Sequence, residues 1–140
     1  DLVYWGIGNP GPDWNPEQRP GDNLYSDSVV ALNPDTGELE WYFQFTPNDP
    51  YDYDAVQVPV LVDYPAQDGS MLKLMLFGNR NGFFYILDRA TGRFINGQPF
   101  IDLNWADGLD DIGRPIFTPQ PPGTTTFPGV QGGTNWYSPS

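Results

Sequence analysis

Proline and glycine recur along the whole chain and restrict it to short structural elements. The 140 residues include sixteen of each, and 16% of the residues are aromatic. Proline interrupts the hydrogen bonding of helix interiors and of central strands, and no amphipathic helix of useful length is found between these residues. The composition therefore predicts an all-β protein, built from many short strands joined by tight turns.

The charged and ionisable residues exclude several kinds of site within this chain. It has no cysteine and no histidine, and its net charge is −12. A zinc site made of these residues, a cysteine nucleophile and a histidine base are therefore excluded, whereas Asp, Glu, Asn and backbone oxygens remain as ligands for a hard cation. Nucleic acid is not expected as a partner because its binding needs a basic face. No apolar run is long enough to span a membrane.

Strand and turn patterns predict six short strands in the first two thirds of the chain. Residues 9–23 and, for the most part, 96–140 are predicted to be loop, and Asn79-Arg80-Asn81-Gly82 is predicted to be a hairpin turn. The predicted strands cover residues 2–7, 28–32, 39–45, 56–62, 71–77 and 83–87.

The sequence contains an internal repeat. Residues 31–41 align without a gap on residues 86–96, and each copy reads as a strand, a turn that begins with Asn33 or Asp88, a Thr-Gly pair and a second strand. The copies start 55 residues apart (86 minus 31), which is near the roughly 40–50 residues of one β-propeller blade. The repeat therefore predicts a propeller; the alternative is two unrelated Thr-Gly turns.

An acidic stretch, residues 46–54, is the main candidate for chemistry. It contains Asp49, Asp52 and Asp54. If the backbone is extended, Asp52 and Asp54 point to the same face, where two carboxylates repel unless a cation or a proton lies between them. The pattern favours a hard-cation site, or an acid/base carboxylate beside a metal-binding one. Alternatively, these aspartates only form turns.

Taken together, these segments resemble the quinoprotein alcohol dehydrogenases, which are eight-bladed β-propellers that carry pyrroloquinoline quinone (PQQ). The repeat copies resemble that family's tryptophan-docking motif, in which the first copy keeps Trp41 and the second has Asn96 instead. The resemblance also covers, in the family's order, residues 8–12, 19–23, 46–54, 79–82 and 132–136. It implies that residues 1–140 are part of a longer propeller domain and form about two blades with long loops.

The resemblance implies a metal site. By position, Asn9 would be a metal ligand through its side-chain oxygen, and Asp52 and Asp54 would be further ligands. The Asp52-Tyr53-Asp54 run is similar to the lanthanide-dependent branch of the family, whereas the calcium enzymes usually carry a small neutral residue at the second aspartate. Ala55 departs from the glycine that is usual in that branch, so calcium remains the alternative.

The resemblance also implies a cofactor site and a reaction. Asp52 would be the general base, Arg80 would bond the quinone oxygens of PQQ close to Asp52, and Asn135 and Trp136 would lie near the cofactor edge. A primary alcohol would be oxidised to an aldehyde by metal-assisted hydride transfer to PQQ. A c-type cytochrome would then accept the electrons, in the periplasm.

Two other functions stay open. A non-catalytic propeller scaffold would have the same repeats, but the side chains of Asp52, Asp54 and Arg80 would not converge on one place. A calcium-binding β domain would use residues 49–54 as a loop, although these residues lack the glycine and the closing glutamate of an EF-hand.

Overall fold

The computed structural model describes residues 1–137, which form three antiparallel sheets of short strands. The first sheet has the order β1-β2-β3, the second β4-β5-β6-β7 and the third β8-β9. The strands are β1 Val3–Gly6, β2 Ser28–Leu32, β3 Leu39–Gln44, β4 Val60–Pro65, β5 Met71–Gly78, β6 Phe83–Asp88, β7 Phe94–Pro99, β8 Ala106–Leu109 and β9 Pro115–Phe117. The predicted all-β class is confirmed.

Helical structure in residues 1–137 is confined to a single 3-10 turn, Pro16–Gln18, inside the predicted 9–23 loop. Proline at its first position fits this turn because the missing N–H would have no partner there. None of the helical structure described is long and apolar enough to cross a membrane.

The predicted strand bounds are accurate where residues alternate or a turn is well defined, and less so elsewhere. The strand predicted at 56–62 begins at Val60 instead, directly after Pro59, and it lies at the edge of its sheet. An edge position tolerates proline because no ladder bond is lost there. The two strands β8 and β9 were missed within the predicted 96–140 loop, since each is too short to show an alternating pattern.

The two repeat copies adopt the same local structure. In each, a glycine with positive φ closes the turn: Gly37 at 75° and Gly92 at 73°. Their N–H groups donate to the carbonyls of Asn33 and Asp88, both at 2.8 Å. Both copies also show a shift in strand register between their first two aligned positions. The sequence repeat is therefore a structural repeat, carried by the neighbouring three- and four-stranded sheets.

Aromatic side chains fill the core between these two sheets. The rings of Phe45 and Phe77 stack with centroids 4.4 Å apart, and Tyr85 contacts Phe45 edge-on at 4.8 Å. Trp41 from the first repeat copy lies on the turn of the second, where a Cβ at Gly92 would come within 2.5 Å of the indole Cε3 atom. The tryptophan of one copy thus packs against the glycine of the next.

This contact gives a stability prediction with a matched control. Gly92→Ala combines the strain of a left-handed backbone, about 1–2 kcal/mol, with overpacking against Trp41, typically about 1–3 kcal/mol. Gly37→Ala has the same backbone strain but no atom within 4 Å of the new methyl group. In denaturant unfolding of the full-length protein that contains this chain, we expect Gly92→Ala to be clearly the more destabilising. Equal losses from both would contradict the packing account.

Candidate active site

Arg80 is the centre of a buried polar cluster. It lies in the turn between β5 and β6 and is only 7% exposed. Its Nη1 atom forms an ion pair with Asp54, and its Nη2 atom lies 3.6 Å from Oδ2 of Asp52. The carbonyl of Val130 accepts hydrogen bonds from Nε at 3.1 Å and Nη2 at 2.6 Å. Asp52, Asp54 and Arg80 therefore share one focus, which the scaffold alternative does not expect.

The two asparagines that flank Arg80 hold its turn in place. The side-chain oxygen of Asn79 accepts the N–H of Asn81 at 2.9 Å, and that of Asn81 accepts the N–H of Phe83 at 3.0 Å. Asn81 is fully buried, and its amide also donates to the hydroxyl of Tyr85 at 3.0 Å. The indole of Trp105 donates to the carbonyl of Asn81 at 2.9 Å. The sequence predicts this turn but carries no signal for these anchoring roles.

The backbone of the acidic stretch is a series of turns. Asp52 has a positive φ of 65°, and no strand is assigned between residues 45 and 59. The extended conformation considered from the sequence is therefore wrong at this position. The buried carboxylate of Asp49 accepts the N–H groups of Tyr51 at 2.7 Å and Tyr53 at 2.5 Å. Asp49 thus acts as a turn former, while Asp52 and Asp54 reach Arg80 by a turn rather than by strand alternation.

Asn9 joins the cluster from the long loop after β1. Its backbone N–H donates to Oδ1 of Asp54 at 2.8 Å. A Cβ at Gly8 would lie 2.6 Å from the same oxygen, so a glycine is needed for this close approach. The side-chain Nδ2 of Asn9 is buried without a hydrogen-bond partner among the described residues. We refer to Asn9, Asp52, Asp54 and Arg80 as the Arg80 cluster.

Arg19 ties the long loop to the acidic stretch. Its guanidinium donates to the carbonyl of Pro12 at 3.0 Å, to Oδ1 of Asn23 at 2.7 Å and to the carbonyl of Asp49. One side chain therefore fixes both ends of the 9–23 loop against the residues that lead to Asp52.

Burial and negative charge dominate the electrostatics. Burial raises the pKa of Asp52, the Asp54 carboxylate raises it further, and the Arg80 guanidinium opposes both effects. Burial likewise raises the pKa of Asp49 to about 6, although two backbone N–H groups oppose the shift. A cation beside these carboxylates would stabilise their ionised forms.

The donor atoms suit a hard cation, although they do not complete its shell. Two carboxylates and one amide are oxygen donors of the kind that calcium-like ions prefer. The buried Nδ2 of Asn9 lacks a hydrogen-bond acceptor, which is a separate need from that of its Oδ1 atom. Within residues 1–137, no three acidic, histidine or cysteine side chains are grouped closely enough to hold an ion by themselves. An ion here would need oxygen donors beyond this set.

The segment after Val130 packs on Arg80, but the side chains of Asn135 and Trp136 do not join the cluster in the contacts described. The N–H of Gly133 donates to the carbonyl of Arg80 at 2.9 Å. The side chain of Asn135 bonds weakly to Gln131, while Trp136 is 61% exposed and stacks on Tyr137. Their role at the cofactor edge remains a prediction.

The chain is similar in sequence to proteins of a known family. Residues 1–98 match the family model described as PQQ: glucose/ethanol/alcohol dehydrogenase, β-propeller domain. The quinoprotein alcohol dehydrogenase PedH of Pseudomonas putida is 45% identical over 97% of this chain and 24% of its own length. The 1-butanol dehydrogenase (cytochrome c) of Thauera butanivorans is 46% identical over 86% of this chain and 18% of its own.

The structural comparison agrees. A europium-containing methanol dehydrogenase superposes with a TM-score of 0.90 and 38% identity, over 99% of this chain and 25% of that protein. The chain thus spans at most about a quarter of the length of these relatives. On the sequence and structure together, the chain belongs to the β-propeller domain family of the PQQ-dependent glucose, ethanol and alcohol dehydrogenases.

Proposed function

We propose that this chain is part of a longer PQQ-dependent alcohol dehydrogenase, in which it supplies the general base and part of the metal site. The observation that carries the proposal is the convergence of Asp52 and Asp54 on the buried Arg80. The two carboxylates come from one loop and the guanidinium from another, and all three side chains are largely removed from solvent. The pKa of Asp52 is raised by burial, and groups with shifted pKa values concentrate at active sites. Membership of the family supports the chemistry proposed for the cluster.

Asn9, Asp52 and Asp54 would hold the metal ion, and Arg80 would face the quinone oxygens. When bound, PQQ and the ion supply the electron acceptor and the Lewis acid of the reaction. Arg80 can serve two roles because a guanidinium has five donors in a fixed fork. The carbonyl of Val130 and the carboxylate of Asp54 hold the guanidinium of Arg80 in one orientation. Its positive charge is therefore already in place when the substrate binds.

Asp52 would accept the hydroxyl proton of the alcohol. Its side chain is 22% exposed, whereas that of Arg80 is 9% exposed, so a small substrate can reach the carboxylate. A base must be ionised before it accepts a proton, and the Arg80 guanidinium 3.6 Å away favours the ionised form. No histidine or cysteine is present in the chain to take this role.

A c-type cytochrome is the proposed electron acceptor, and the periplasm the proposed location. The first is supported by the relative named 1-butanol dehydrogenase (cytochrome c). The second follows only from the family resemblance.

The test uses the full-length protein that contains this chain. After reconstitution with PQQ and either lanthanum or calcium, it should reduce an artificial dye when small primary alcohols are added. Omitting PQQ should abolish this activity. PQQ-independent activity, or none with any alcohol and either metal, would count against the proposed function.

Lanthanum is expected to support more activity than calcium. A trivalent ion favours an additional anionic ligand, and Asp54 supplies a carboxylate next to that of Asp52. The likeness to a europium-containing methanol dehydrogenase supports the same choice. Asp54→Ala should remove the advantage of lanthanum in the reconstituted enzyme. Equal or greater activity with calcium, unaffected by Asp54→Ala, would reject the lanthanide assignment.

A further inference from the structure

Asp27 is a buried carboxylate that the proposed reaction does not use. It lies directly before β2, it has no exposed surface, and neither of its carboxylate oxygens has a hydrogen-bond partner among the described residues. Burying a carboxylate without a partner is strongly unfavourable, so such a group needs a proton or a positive or hydrogen-bonding partner. Burial, with Asp49 and Asp54 nearby, raises its pKa to about 9.

The strand pairing places Asp27 opposite the start of the long loop. Its N–H donates to the carbonyl of Gly8 at 3.0 Å, and the N–H of Ile7 donates to the carbonyl of Ser28 at 2.8 Å. Asp27 itself lies in a turn with a positive φ of 48°, so strand alternation does not set the direction of its side chain. A Cβ at Gly8 would lie 2.6 Å from Oδ1 of Asp54, so the backbone bond to Gly8 brings Asp27 close to Asp54 and to Asn9, the residue after Gly8.

A second buried group without a partner lies next to this position. Asn9 follows Gly8, and its Nδ2 donor has no acceptor, whereas Asp27 has two oxygens without donors. If the Oδ1 atom of Asn9 faces a cation, its Nδ2 must find an acceptor on the side away from that ion. The charged groups that act on Asp27 are Asp49, Asp52 and Asp54, which repel a second negative charge, and Arg19, which only partly offsets them.

We propose that Asp27 is a positioning residue of the metal site: when the ion is bound, the carboxyl group of Asp27 accepts a hydrogen bond from Nδ2 of Asn9 and so directs Oδ1 of Asn9 to the cation. Partners behind the ligands orient them and tune the ion in this way at many metal sites. This inference rests on the proposed metal site.

Europium(III) binding to the full-length protein tests the role without an activity assay. Asp27 has a positive φ of 48°, which asparagine and glycine tolerate better than alanine does. Asp27→Gly removes the acceptor, whereas Asp27→Asn keeps one acceptor oxygen and replaces the other with an amide donor; neither strains the backbone. Loss of an outer partner typically weakens metal binding by about 10–100-fold, and we expect a loss of this size for Asp27→Gly and a smaller one for Asp27→Asn.

The luminescence lifetime of bound europium in H₂O and in D₂O gives the number of coordinated waters. We expect about one additional water in Asp27→Gly, since a misdirected Asn9 leaves a coordination position open. In an Asn9→Ala background, Asp27→Gly should have little further effect on affinity, because the two residues act through one bond. Asp35→Asn, an exposed carboxylate in the turn after β2, is the matched control and should change neither quantity.

The outcomes separate this inference from the proposed function. Metal-free Asp27→Asn should be at least as stable to heat as the parent protein, because the substitution removes a buried carboxylate. Weaker europium binding by this variant would therefore not result from unfolding. If Asn9→Ala and Asp54→Ala weaken europium binding but both Asp27 variants bind it normally, the role of Asp27 is wrong and the metal site stands. If none of these variants affects europium binding, the proposed metal site itself is wrong.

Discussion

In the full-length protein that contains this chain, Asp52→Asn should nearly abolish alcohol oxidation while PQQ still binds. Loss of a general base typically lowers the rate by about 10²–10⁴-fold. The substitution keeps the size of the side chain and suits the positive φ of Asp52, so the local turn should persist. Among the described residues, Asp52 and Asp54 are the acidic side chains within ion-pair distance of Arg80.

The measurement is turnover with saturating alcohol, together with PQQ content from absorbance. Asp35→Asn serves as the matched control, because it makes the same chemical change at an exposed turn. It should leave both quantities unchanged. Near wild-type turnover in Asp52→Asn, with PQQ bound, would rule out Asp52 as the base.

Gly132→Ala should lower activity by about 100-fold, the loss that a displacement of roughly 1 Å can cause at an active site. Gly132 has a positive φ of 69°, and a Cβ there would lie 2.0 Å from Cγ of Arg80 and 2.5 Å from its carbonyl oxygen. One of the two segments must move, and the Arg80 side chain is already held on its other side by Asp54. The guanidinium is therefore expected to leave its position near Asp52.

Gly123→Ala is the control for this substitution. Gly123 also has a positive φ, of 82°, but a Cβ there meets nothing within 4 Å. Both variants carry the same backbone strain, so the difference in turnover isolates the effect on Arg80. Equal activity of the two variants would show that the position of Arg80 is not critical.

The parts of the fold that a few neighbouring residues determine could be predicted from the sequence. Each turn of the repeat is specified by a few neighbouring residues, Asn33 to Gly37 in one copy and Asp88 to Gly92 in the other, and both turns form as predicted. The short strands β8 and β9 were not predictable in this way, because three or four residues show no usable periodicity.

The Arg80 cluster could not be predicted from local sequence patterns alone. Asn9 lies in the loop after β1 of the first sheet and Arg80 in a turn of the second, and only the tertiary structure brings both to Asp54. The resemblance to a family supplied that link, although the turn at Asp52 differs from the extended backbone considered from the sequence. Asp27 carried no recognisable signal, since an aspartate before a strand is ordinary, and its burial without a partner emerges only from the structure.

A crystal structure of the full-length protein, loaded with PQQ and europium and phased on the anomalous signal of the ion, tests the central claim most directly. The account predicts one ion bound by Oδ1 of Asn9 and the carboxylates of Asp52 and Asp54, at distances near the roughly 2.3–2.6 Å of calcium–oxygen bonds, with Arg80 facing the quinone. An ion bound elsewhere, or an Asp54 carboxylate that stays paired with Arg80 and does not contact the ion, would contradict it.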